Sequence, residues 1–277
     1  MDFFTLFPNL EPWVANLATV WPASVIKPSI WMFAVIEAVH LLMLGLLGGC
    51  VIVLNMRLLG AGLTNEPISV VERNLRLSLW IGVGGVLLTG VAIGMSNAEK
   101  LYTSPAFFVK MISLAAGLIF SFGVTNVVAR NEGAISTPMK AAAGVAFLLW
   151  LASIGVFGSA IGANPGTVHL VVAGYAILFA FGSRLSRFLG GGTLAALVIV
   201  GAVLTYGVWN VWDHYELVTA INIWFVRIAA LILVGLLGYE IFASKHAETS
   251  STVKLIALFS ILTWVTIAAA GRWIGLS

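Results

Sequence analysis

Residues 29–56, SIWMFAVIEAVHLLMLGLLGGCVIVLNM, hold a single carboxylate and a single imidazole in an otherwise apolar stretch, and runs of this kind recur along the chain. About twenty apolar residues let a helix cross the ~30 Å hydrocarbon layer. In lipid, a spanning helix satisfies its backbone polar groups internally. Eight such spans can be marked, near 29–56, 76–97, 105–129, 139–161, 166–188, 192–212, 219–243 and 253–274. Only 9% of residues are charged, 60% are hydrophobic and mean hydropathy is +1.05. A soluble core of this size needs no such composition. The sequence therefore predicts an all-α integral membrane protein of eight transmembrane helices whose first partner is the lipid bilayer.

The charges that remain report topology. Arg57, Arg73, Arg76, Arg130, Lys140, Arg184, Arg187, Lys245 and Lys254 fall at one set of helix ends, whereas the other set carries Lys27, Lys100 and Arg272 with Asp2, Glu11, Glu99, Asp213 and Glu216. By the positive-inside rule both termini lie outside, periplasmic in a bacterial inner membrane. The formal net charge of +3 thus implies no nucleic-acid partner. The N-terminal segment 1–28 has no basic n-region and is broken by Pro8, Pro12, Pro22 and Pro28. It reads as an interfacial segment, with a short helix over 12–22 anchored by Trp13 and Trp21. One cysteine, Cys50, excludes a disulfide framework.

The chain also resembles itself. VHLLMLG at 39–45 pairs with VHLVVAG at 168–174, which superposes His40 on His169 and Gly45 on Gly174. GGVLLTG at 84–90 pairs with GAVLTYG at 201–207, FFVKMISL at 107–114 with WFVRIAAL at 224–231, and Lys140 and Trp150 with Lys254 and Trp264. Four spans per half give repeats of one orientation. The expected organisation is two tandem parallel four-helix repeats, 29–161 and 166–277, joined near GANPGT at 162–167.

An ionisable side chain near the bilayer centre costs at least ~2.5–3.5 kcal/mol, so each one inside a span is a functional candidate. These are Glu37, His40, Lys110, His169 and Arg227. Arg57 follows His40 by 17 residues and Arg187 follows His169 by 18, which sets both imidazoles roughly 25 Å from the inner interface. Two histidines at one depth, each with a glycine nearby, suit axial ligation of haem iron, glycine letting a flat macrocycle approach the backbone. The expected site is thus a haem b held by His40 and His169 as iron ligands, cradled by Gly45 and Gly174, with Arg227 and Lys110 near its propionates or Glu37; the alternative is one haem in each bundle, with a second ligand that the sequence does not identify. Glu37 and His40 also form the Glu-x-x-His spacing of di-iron bundles, but Gly166 stands where the second glutamate would recur. A lone zinc or copper site at Glu37, His40 and His169 would have only three ligands. His214, in VWDHYE, reads as part of a solvated cluster, and His246 as an inner-loop residue.

The stretch 29–60, with its I-E-x-x-H and closing R-L-L-G, followed by SPAFFVKM at 104–111 and AAAGRWIGLS at the C-terminus, resembles a family of uncharacterised bacterial inner-membrane proteins. Ser104 stands where that family usually has asparagine, and Asn55 and Met56 precede Arg57 where it usually has an aspartate. More distantly, the order of helix histidine, inner arginine and a lysine opening the third span is similar to the copper-resistance D membrane domain and to the haem-binding membrane protoporphyrinogen oxidase. Those likenesses imply a b-type haem on His40. The oxidase's further histidine on its third helix has no counterpart here.

Together these features predict a membrane b-type cytochrome carrying electrons between quinol and a membrane or periplasmic redox partner, with quinone as a possible second cofactor. The alternatives are a transporter or channel with a polar path between the repeats past Glu37, Lys110 and Arg227, and a non-catalytic membrane subunit of a larger complex.

Overall fold

The computed structural model describes residues 1–160, 168–208, 215–242 and 248–275. His214, His246 and the linker 162–167 lie outside the described residues. Among the described residues, eight apolar helices of 14 residues or more follow the short N-terminal turns: α1 Ile30–Leu58, α2 Ile68–Ser96, α3 from Pro105 to Arg130, α4 Thr137–Ala160, α5 Val168–Phe181, α6 Arg184–Ala202, α7 Tyr215–Phe242 and α8 Ser251–Ile274. All but α5 are long and apolar enough to cross a membrane. The chain is a multi-pass helical membrane protein.

Local chemistry sets the helix starts. Ser29, Ser104, Ser183 and Ser250 each precede a helix and accept a hydrogen bond from the backbone N–H three residues on. Pro105 adds a preset φ at the first position of α3. The α3 helix widens to π-helical turns over Ile119–Thr125 before closing again at Asn126–Arg130. The second span begins at Ile68, two turns before the expected 76, because its cap comes from far away in sequence. The Glu132 carboxylate accepts from the N–H groups of Ile68 and Ser69, both at 3.1 Å.

Hydrogen bonding from the Ser69 hydroxyl, then from the Ser69 and Ile68 N–H groups, with the Arg57 charge nearby, holds the Glu132 carboxyl below its ordinary 4.5. A carboxyl depressed on folding stabilises the fold fully above its unfolded value, and the contribution is lost as pH falls through the folded value. Glu132→Gln is therefore expected to flatten the acid limb of stability below about pH 4.5, read by thermal unfolding in detergent across a pH series.

The fifth and sixth expected spans need correcting. The break falls at Gly182–Ser183, not at the GGG run 190–192. Arg187 donates to the carbonyls of Gly182 at 2.8 Å and Ala180 at 3.3 Å, closing the end of α5. Gly190 stays helical, because a Cβ there would lie 3.0 Å from Leu178 Cδ2 and 3.4 Å from Tyr175 Cε1. The glycine serves close packing of α6 on α5. Helix α5 keeps 14 residues, about 21 Å of rise.

At the centre stands α8. It packs on α3, α1, α4, α5 and α7, so the C-terminal helix joins both halves of the chain. Its buried positions include Ala257, Ser260, Thr263, Thr266 and Ala270, all fully enclosed. Lipid tails are as apolar as leucine, so small residues that admit close backbone approach, and polar links between helices, drive such association. Asn55 of α1 donates to Ser260 at 3.2 Å, Trp264 donates to Ser121 of α3 at 2.9 Å, and Trp150 of α4 donates to Thr266 at 3.0 Å. Around this axis Leu54, Phe120, Val124, Val128, Leu178 and Ile241 form the main apolar core.

The helix ends that carry most of the arginines are tied by charge. Glu72 of α2 is fully buried and receives Arg76 at 2.5 Å and Arg130 of α3 at 2.9 Å. Arg57 of α1 pairs with Glu248 at 2.7 Å and donates to the Glu66 carbonyl.

A cavity holding His40 and Lys110

Near the start of α1, the face turned toward α2 and α3 borders a cavity of about 430 Å³. Its walls come from α2 through Val86, Leu87, Gly90 and Val91, and from α3 through Phe107, Lys110, Met111 and Leu114. The N-terminal segment supplies the roof through Phe3, Phe7, Leu10, Trp13, Val14 and Leu17. That segment is seated by Val14 against Ala98 and Tyr102, by Phe3 edge-on to Phe108, and by the Tyr102 hydroxyl donating to the Phe7 carbonyl. The helix expected over 12–22 runs from Glu11 to Leu17, and Trp13 and Trp21 are exposed, as interfacial anchors require. The lining is apolar except for the imidazole of His40, the ammonium of Lys110, the phenol of Tyr102 and the indole of Trp13.

The His40 ring is oriented by its neighbour. Nδ1 lies 2.8 Å from the Thr89 hydroxyl oxygen, and that hydroxyl donates its only proton to the Gly85 carbonyl at 2.5 Å. Thr89 can therefore only accept from the ring. His40 carries its proton on Nδ1, and its Nε2 lone pair is left for another group. Such a fixed tautomer is what an imidazole needs to ligate a metal or to accept a proton. Across from the ring is Gly90, where a Cβ would stand 3.3 Å from Cε1. The cavity volume falls in the ~300–1,000 Å³ range of sites for drug-sized ligands.

Lys110 is half-buried. Among the described residues no acceptor lies within hydrogen-bonding distance of its ammonium. Gly271 of α8 lies beside it, where a Cβ would stand in ordinary van der Waals contact, 3.7 Å from Nζ.

The other expected site residues are elsewhere. His169 does not line the His40 cavity. Its Nε2 faces the Thr266 hydroxyl at 3.2 Å, while Thr266 donates to the Leu262 carbonyl, and its ring meets Phe157 edge-on at 5.3 Å. The nitrogen that most often ligates iron is thus engaged with α8, which does not favour one haem clamped between the two histidines. Glu37, one turn before His40, is exposed and has no hydrogen bond or ion pair among the described residues. Arg227 is also exposed and lies over the Trp224 ring at 4.9 Å. A methyl group added at Gly45 would meet nothing within 4 Å, so this glycine cradles nothing in the chain. Gly174 is buried, but a Cβ there would meet Leu233 Cδ2 at 2.5 Å; it is a packing glycine between α5 and α7. Among the described residues no three of His, Cys, Asp or Glu come together to hold a metal ion.

The sequence reading thus found His40 and Lys110 and missed Thr89, Gly90, Gly271 and the N-terminal roof. Gly90 closes the GGVLLTG motif and recurs as Gly207 in GAVLTYG, which was the available signal for it, whereas Tyr206 stands opposite Thr89.

Searches among curated proteins and among solved structures give no match. Residues 27–164, which carry α1 to α4 with His40, Thr89, Gly90 and Lys110, match the model of one family, described as a family of unknown function, DUF6644.

Proposed function

We propose that the protein is a membrane redox component whose working site is the His40 cavity, with a b-type haem held through His40 Nε2. The observation that carries this reading is the Thr89 hydroxyl, which accepts from Nδ1–H and leaves Nε2 of this cavity-lining imidazole uncommitted to it. The residues present fit the group: one oriented imidazole, a glycine against the ring, apolar walls, and Lys110 as a cation for a propionate. Bound haem would supply one-electron chemistry. The chain's own residues orient the ligating ring, exclude water beneath the N-terminal roof and offset the charge of the carboxylates.

A second reading is supported by the composition of the same lining. A quinol donates from one hydroxyl to an acceptor and accepts at its other oxygen from a donor, and His40 Nε2 and the Lys110 ammonium supply that pair. Either occupant suits electron carriage between quinol and a membrane or periplasmic partner. The transport reading loses support, because Glu37 and Arg227 are exposed on the outside of the helices.

We further infer that α5 is an eighth crossing and that both termini lie on the outer face of a bacterial inner membrane. The clustering of Arg57, Arg76, Arg130, Arg184 and Arg187 at one set of helix ends supports that orientation.

The test is a reduced-minus-oxidised spectrum of purified protein after haem supplementation. A b-type Soret and α band is expected in the wild type and in His169→Ala, and its loss is expected in His40→Ala. Absence of both bands from the wild type overturns the haem reading. Bands that survive His40→Ala overturn the assigned ligand.

A further inference from the structure

A cation in an apolar chamber is the least explained feature of the site. Lys110 has a half-buried ammonium with no acceptor in reach among the described residues. A charge withdrawn from water is costly unless it is paired. The chain has withheld the pairing group, although carboxylates stand close by in sequence at Glu99 and one turn before His40 at Glu37.

The roof says where a partner would come from. The side of the N-terminal segment not turned into the cavity is amphipathic: Phe4, Leu6, Val20 and Trp21 are exposed beside Asn9, Glu11, Asn16 and Thr19. A roof of that composition lies in the membrane interface, with its outer surface against lipid. Access through it is access from the bilayer, for a molecule that already partitions there.

We propose that the cavity takes up, from the leaflet at the N-terminal end of α1, an amphiphile bearing a carboxylate. The carboxylate pairs with the Lys110 ammonium, and the apolar body lies beneath the roof against Val86, Leu87 and Val91. This rests on the cavity being the working site but not on haem being its occupant. A haem, through its propionate, and a long-chain fatty acid share that chemistry.

The experiment uses the full chain in nanodiscs with three probes: hemin, dansyl-undecanoic acid and the methyl ester of that dansyl acid. A charge-assisted hydrogen bond contributes ~1.5–3 kcal/mol, so the acid is expected to bind about 10- to 100-fold tighter than the ester. Lys110→Met should erase that preference and Lys110→Arg should keep it. Equal affinity of acid and ester in the wild type overturns the proposal, as does a preference that persists in Lys110→Met. If the dansyl acid binds with its Lys110 dependence but hemin gives no spectrum, the inference stands and the haem reading fails. If hemin binds through His40 with the same affinity in Lys110→Met, and the acid shows no preference, the haem reading stands and the inference fails.

Discussion

The Arg76→Ala/Arg130→Ala double variant is expected to lose about 3–5 kcal/mol of stability, the loss typical when a buried charge is stripped of its partners. Glu72 is fully enclosed, while its two arginines are 43% and 44% exposed. The carboxylate is the desolvated member of the cluster, and the guanidiniums are what permit it to stay charged there. Removing one arginine leaves the other in place, so each single variant should cost only ~1–2 kcal/mol. The double loss should exceed the sum of the singles. Adding Glu72→Gln to the double variant removes the stranded charge and should recover part of the loss. Thermal unfolding of the four proteins in one detergent checks the series; additive single effects with no recovery would mean that Glu72 stays solvated by other means. Because Glu72 lies near the start of α2 and Arg130 at the C-terminal end of α3, the same cluster ties together two helices whose opposite ends wall the cavity.

Gly82→Ala is the second large effect. A methyl group at this position would stand 2.9 Å from Leu47 Cβ and 3.1 Å from the Leu47 Cα and N. Two of those atoms are helix backbone and cannot rotate away. Helices α1 and α2 must separate, at a cost of about 1–3 kcal/mol for this kind of overpacking. Gly84, two residues on, has nothing within 4 Å. There the same substitution should be neutral or stabilise by up to ~1 kcal/mol through helix propensity. The contrast isolates the contact from the propensity. Thr89 and Gly90 follow on the same helix, so the displacement should also weaken the Thr89–His40 hydrogen bond and with it the affinity of any ligand bound through His40. Unfolding temperatures of both variants, with ligand binding measured on the same preparations, check both consequences.

How far the site was legible in the sequence follows from what burial leaves behind. His40 and Lys110 are conspicuous in any reading, because an ionisable group in an apolar span is rare whatever it touches. Their environment was not legible. Spacing alone sets Glu37 one turn from His40, yet Glu37 is exposed and His40 is buried, since a histidine that faces α2 turns its i−3 neighbour partly outward. Gly45 and Gly174 aligned as a pair, but one faces open space and the other a leucine of α7. A glycine is equally suited to a cofactor, a neighbouring helix or nothing, and only the partner distinguishes them.

The sequence by itself determined that the chain crosses a membrane on helices, where most of those helices lie, and which few side chains are out of place in lipid. Those conclusions depend on transfer free energies and local capping, which are properties of residues and their near neighbours. Only the tertiary structure decided that α8 stands at the centre, that α2 starts under a glutamate 64 residues away, and that His40 shares a cavity with Lys110 and not with His169. Among apolar helices the hydrophobic effect does not choose a neighbour. The choice falls to close contacts and to single hydrogen bonds between distant residues, such as Thr89 with His40 and Thr266 with His169, whose pairing no local pattern encodes.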